Sequence, residues 1–160
     1  MSNLKIIQLL PELNIGGVER GTKDFSKVLI DQGHKSIVIS NGGIFEKDII
    51  NDGGKHIKLP IHKKNLSSIF LSKKLKSIYE DEIPDIVHVR SRMPAWINFL
   101  AFKKMPIKPL LVSTFHGLYS TPFYSQVMAK VDHTIAISNT CLLYTSPSPR
   151  DVEESGFAGC

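Results

Sequence analysis

Six short apolar runs alternate along this chain with segments of helical period, and this alternation limits the fold more than any other feature. The runs are 5–10, 36–40, 56–61, 85–89, 110–114 and 133–137, and most are rich in β-branched residues. Between them lie predicted helices over 22–32, 45–50, 67–79, 94–104 and 123–129. Phe25, Val28 and Leu29 fall on one face of the first, and Leu71, Leu75, Ile78 and Tyr79 on one face of the third. Strands that are apolar throughout, rather than at every second residue, are buried on both faces. The sequence therefore predicts an α/β fold with a doubly wound parallel sheet and helices on both sides.

At 160 residues the chain is long enough for one such domain and not comfortably two. No apolar run approaches the ~20 residues that span a bilayer. Met1 leads directly into the first strand without a signal-peptide pattern, which gives the expectation of a cytoplasmic protein. The net charge of +5 suits acidic partners such as phosphates, nucleotides or anionic lipid headgroups.

Residues 141–151 read Cys-Leu-Leu-Tyr-Thr-Ser-Pro-Ser-Pro-Arg-Asp. This string resembles the in-frame translation of a transposase-type sequencing adapter. The expectation is a native domain over 1–140, incomplete at its carboxyl end, and a non-native, disordered tail over 141–160. The tail holds Arg150 against Asp151, Glu153 and Glu154, so without it the net charge is +7. It also holds both cysteines, Cys141 and Cys160, which removes thiol chemistry from the body.

In a doubly wound sheet, ligands bind off the carboxyl ends of the strands. After the first run comes Asn14-Ile15-Gly16-Gly17-Val18-Glu19-Arg20-Gly21-Thr22. Gly16 and Gly17 allow close approach of the backbone, and the following helix offers free N–H groups to an anion. A plain turn would explain the same glycines. The dinucleotide fingerprint G-x-G-x-x-G is absent, the second strand ends in Ser40-Asn41 without an acid for a ribose, and no P-loop is present. These absences disfavour a dehydrogenase or epimerase.

Arg90 and Arg92 follow the fourth run and can hold phosphate or carboxylate, or stand as solvated surface charges. His116 follows the fifth run and is placed to bond a sugar hydroxyl or a phosphate, although a lone histidine is more often structural. His88 lies inside the fourth run and reads as a core residue. His34, His56, His62 and His133 show no metal-ligand spacing, and no metal site is expected. Lysines gather at 63, 64, 73, 74, 76, 103, 104 and 108. They read as a solvated face, or as a dock on anionic membrane. Without regular aromatic interleaving, nucleic acid is not an expected partner.

Four strings in order resemble glycosyltransferase family 4, in its bacterial branch that builds lipopolysaccharide and related surface glycans. They are Gly-Gly-Val-Glu-Arg-Gly-Thr at 16–22, Pro-Asp-Ile-Val-His-Val-Arg-Ser-Arg-Met-Pro-Ala-Trp at 84–96, Ser-Thr-Phe-His-Gly-Leu-Tyr-Ser at 113–120 and Asp-His-Thr-Ile-Ala-Ile-Ser at 132–138. The resemblance implies the N-terminal, acceptor-side half of a GT-B fold, whose two Rossmann-like domains face each other across a cleft. It implies retaining transfer from a nucleotide-sugar co-substrate to a glycan or lipid-linked acceptor, with no metal and no further cofactor. By the motif match, Gly16 and Gly17 approach the donor diphosphate, His116 contacts the transferred sugar as the catalytic residue, and Arg90 and Arg92 line the acceptor side. The family's donor domain, with a Lys/Arg pair and a Glu-x7-Glu signature, has no counterpart here, so the fragment alone is expected to be inactive. A non-catalytic Rossmann-like module binding nucleotide or phosphate is the alternative.

Overall fold

The computed structural model describes residues 3–62, 68–116 and 122–137. The adapter-like segment lies outside them, as do Lys63, Lys64, Ser67 and the residues 117–120 that complete the histidine string.

Six strands form one all-parallel sheet: β1 (Lys5–Leu9), β2 (Lys35–Ser40), β3 (Lys55–Lys58), β4 (Ile86–Val89), β5 (Leu110–Phe115) and β6 (His133–Ala136), in the order β3-β2-β1-β4-β5-β6. The connecting helices are α1 (Gly17–Asp31), α2 (Glu46–Asn51), α3 (Ser68–Glu82), α4 (Arg92–Phe102) and α5 (Pro122–Ser125), the last followed by a 3-10 turn over Gln126–Met128. The chain moves outward from β1 in one direction, returns through α3, and moves outward in the other. The switch point therefore falls between β1 and β4, as the predicted topology requires.

The two faces of the sheet differ in chemistry. Side chains alternate along a strand, and Ile7, Leu9, Ile37, Ile39, Val87, Val89, Leu111 and Phe115 share one buried cluster. Leu71, Leu75 and Tyr79 of α3, Ala95 and Ile97 of α4, and Val127 and Met128 complete it. Inside this cluster the Tyr79 hydroxyl donates to Asn98 Oδ1 at 2.6 Å. On the other face Leu10, Leu13, Val38 and Ile49 make a smaller apolar cluster. Its neighbours are polar: Gln8, Ser26, Ser36, His88, Arg90 and Thr114 are all buried. Ser26 and Ser36 share a 2.7 Å hydrogen bond between α1 and β2.

The elements match the sequence reading with local differences. The first helix begins at Gly17, five residues ahead of its predicted start, because Gly16 is an extended N-cap and the glycine-rich segment itself winds into the first turns. The third strand ends at Lys58 rather than at 61. Pro60 lacks an amide for the ladder, and Ile61 N–H instead bonds the Leu59 carbonyl at 2.8 Å, while the side chains of Leu59 and Ile61 stay buried.

Candidate functional site at the carboxyl rim

Parallel strands put all their carboxyl ends on one edge, so the segments after β1, β4 and β5 converge although they lie far apart in sequence. Gly16 caps α1 and Gly17 opens it. A methyl group on Gly17 would meet nothing within 4 Å, whereas one on Gly16 would run into the Glu19 carboxylate. The acid in the first turn thus folds back over the helix start, where negative charge is favoured by the free N–H groups.

Arg90 leaves the end of β4 and turns inward. It is only 8% exposed. Its Nε donates to Gln8 Oε1 at 2.9 Å, and its guanidinium carbon lies 5.6 Å from the centre of the Phe25 ring on α1. Burial lowers its pKa to about 10, so it stays cationic at neutral pH. Arg92 is the first residue of α4, half-buried, with its guanidinium carbon 5.3 Å from the ring of Tyr124. That ring also stacks on Trp96. The two arginines share the rim but are engaged by different helices, Arg90 by α1 and Arg92 by α5.

His116 follows directly on β5 and is half-buried. Its Nε2 is buried and has no hydrogen-bond partner among the described residues. Burial, and then the charge of Arg90, hold its pKa below the ordinary histidine value, so the ring is neutral at neutral pH. Beneath it, His88 Nε2 and Thr114 Oγ1 are 2.7 Å apart. Burial, Arg90 and His116 push the His88 pKa down to about 3. His88 is therefore a neutral core histidine, in keeping with its place inside a strand.

Sequence reasoning misses Gln8 and Thr22. Gln8 is fully buried in β1, and its Nε2 donates to the Thr22 carbonyl at 3.2 Å. The available signal is one amide set between the apolar residues Ile6, Ile7 and Leu9 of the strand. Two cavities lie at the opposite end of the sheet. One of about 630 Å³ is bounded by Phe99, Lys103, Lys108, Lys130 and Asp132, and one of about 440 Å³ by Ile83, Pro84, Asp85 and Leu110. Neither includes any of the five rim residues.

A doubly wound parallel sheet, with a glycine-capped helix start, a buried arginine and a histidine with an unpartnered buried nitrogen along one edge, defines a Rossmann-like domain. The chain belongs to glycosyltransferase family 4, whose family model matches residues 15–144. It is similar to a solved glycosyltransferase from Rickettsia africae, at 35% identity and a TM-score of 0.70 over 87% of this chain and 38% of that one. Anabaena HepE, solved with UDP and glucose, has the same fold at 16% identity and a TM-score of 0.69, covering 89% of this chain and 40% of that one. One of the subunits of human phosphatidylinositol N-acetylglucosaminyltransferase is 28% identical over 144 residues, which are 83% of this chain and 30% of the human one. The chain thus spans well under half the length of these relatives, and its sheet is a GT-B-type Rossmann-like domain.

Proposed function

We propose that the protein to which this domain belongs transfers a sugar from a nucleotide-sugar donor to a hydroxyl of a glycan or lipid-linked acceptor, of the kind found in lipopolysaccharide and related surface glycans. The observation that carries this reading is the buried, unpartnered Nε2 of His116 on the rim that also holds Arg90 and the start of α1, in a chain of this family. In the reaction the acceptor oxygen forms a bond to the anomeric carbon. The bond from that carbon to the diphosphate oxygen breaks, and the acceptor proton leaves to the departing phosphate or to solvent.

Gly16 and Gly17 bring backbone N–H groups toward the departing diphosphate, which takes the place of the Glu19 carboxylate over the helix start, where electrostatic stabilisation of developing charge is most effective. His116, neutral and unpaired, bonds a hydroxyl of the transferred sugar. Arg90 and Arg92 serve the acceptor side. The transfer proceeds with retention and with no metal and no cofactor beyond the donor. This domain supplies one wall of the cleft, so transfer requires a donor-binding domain to supply the other. The protein is cytoplasmic and meets the inner face of the membrane. Supporting that contact, the start of α3 exposes Ile69 and Phe70 at 57% and 69% beside the exposed Lys73 and Lys74.

The test is His116→Ala in the full-length parent. Turnover should fall about 10²-fold or more, the scale of losing one hydrogen-bond donor to the reacting centre, while the unfolding transition is unchanged. Arg92→Ala should raise KM for acceptor more than it lowers kcat. Normal turnover in the histidine variant would refute the site. Nucleotide binding without transfer by the parent would leave a non-catalytic binding module.

A further inference from the structure

Gln8 joins three parts of the rim that are distant in sequence. Its Nε2 holds the Thr22 carbonyl of α1, and its Oε1 holds Arg90 Nε at the end of β4. It sits directly beside His88 in the β1–β4 register. The guanidinium is thus fixed by its inner nitrogen and pressed on Phe25. Toward α1 it meets Gly21, where an added methyl would lie 3.8 Å from Nη1. Among the described residues no carboxylate pairs with Arg90. A buried cation without a counter-ion is costly, and its persistence calls for an anion supplied from elsewhere.

The geometry points to Gln8 as a positioning residue that holds the Arg90 guanidinium unpaired, with its outer nitrogens offered beside Gly21 to a phosphoryl group of the ligand. This rests on the reading of the rim as the substrate edge. An amide suits the task. It fixes the guanidinium by hydrogen bonds without neutralising it, whereas a carboxylate at the same place would supply the missing counter-ion and cancel the attraction for a ligand. The ligand's anion would also offset the charge that Arg90 imposes on His116, so occupancy should be readable at that imidazole.

The experiment titrates inorganic pyrophosphate into the chain and follows affinity by calorimetry and the His116 ring by NMR. The unaltered chain should bind, and the His116 pKa should rise on binding. Gln8→Glu should weaken binding at least tenfold. Gln8→Met, similar in length and apolar, is the second variant should the first not fold. It should also lose at least tenfold, and pyrophosphate should no longer move the His116 pKa. A role confined to packing would lower the unfolding temperature and leave affinity and the histidine response intact. Displacement of pyrophosphate by UDP would assign the phosphoryl group to the donor, and retention under saturating UDP to a phosphorylated acceptor. A folded variant that binds as tightly as the unaltered chain, or an unaltered chain that does not bind, overturns the proposal. Transfer by the full-length parent and its His116→Ala variant is measured separately, so the transferase reading survives or fails on its own.

Discussion

Replacing Gly43 by alanine tests how the loop that delivers the glycine pair is built. Gly43 follows β2 with φ +149, a backbone conformation that side-chain-bearing residues rarely adopt. An added methyl would lie 2.4 Å from the carbonyl carbon of Leu13, 2.5 Å from its oxygen and 2.8 Å from the Asn14 nitrogen. These atoms cannot swing aside like a side-chain tip. Leu13 N–H bonds the Gly42 carbonyl at 2.9 Å, and Phe45 N–H bonds the Leu13 carbonyl at 3.1 Å. The Asn41 N–H to Pro11 carbonyl bond, at 2.9 Å, fastens the same two segments.

Backbone strain of this kind costs about 1–3 kcal/mol, and overpacking against a fixed neighbour costs about another 1–3 kcal/mol. Taking about 4 kcal/mol as the midpoint, the melting temperature of a domain this size should fall by roughly 8–16 °C. Gly33→Ala is the control. Gly33 has φ +81, but a methyl there meets nothing within 4 Å. Its cost is the left-handed backbone alone, about 1–2 kcal/mol. Thermal unfolding by circular dichroism measures both. Backbone amide resonances of 14–17 should shift in the Gly43 variant only, because relief of the clash must move Leu13 and Asn14 and, through them, Gly16 and Gly17. Equal losses in the two variants, with unmoved loop resonances, would refute the reasoning.

Stability should depend on pH through His88. Its folded pKa of about 3 lies below its unfolded value, so the unfolded state binds the extra proton, and stability present above pH ~6.5 is lost at up to ~1.4 kcal/mol per unit as pH falls toward 3. Urea unfolding at pH 5 and 7 checks this, and His88→Gln should flatten the profile. Ile83 closes α3 with φ +48 and is 77% exposed, so Ile83→Gly should relieve a left-handed β-branched residue and stabilise by about 0.5–1 kcal/mol, read from the same denaturation. If α3 docks on lipid, sedimentation with anionic vesicles should fall steeply with salt and be lost in Phe70→Ser. Salt-insensitive binding, or none at low salt, would leave Lys73 and Lys74 as a solvated face.

The sheet is legible in the sequence because parallel strands are buried on both sides and announce themselves as continuous apolar runs. From the element order, the carboxyl-rim convergence of Gly16, Gly17, Arg90, Arg92 and His116 follows by topology alone. Local chemistry is harder. The predicted start of α1 falls late because Gly17 and Gly21 are poor helix formers, yet the N-terminal turn forms there under an extended Gly16.

The side chains that define the rim's electrostatics depend on facing, and facing depends on pairings across long separations. Arg90 and Arg92, two residues apart, would point the same way in a continuous strand. The strand stops at Val89 and the helix begins at Arg92, so one arginine sinks under Phe25 while the other lies over Tyr124. Gln8 looks like a lone polar residue in an apolar run until the β1–β4 register sets it beside His88, with Arg90 two residues on. Only then do the buried polar groups of β1, β4 and β5 form one layer under α1. That layer explains why the face is polar at all. An apolar layer would pack as well, but it could not hold a charged guanidinium and a neutral imidazole at the carboxyl edge of the sheet.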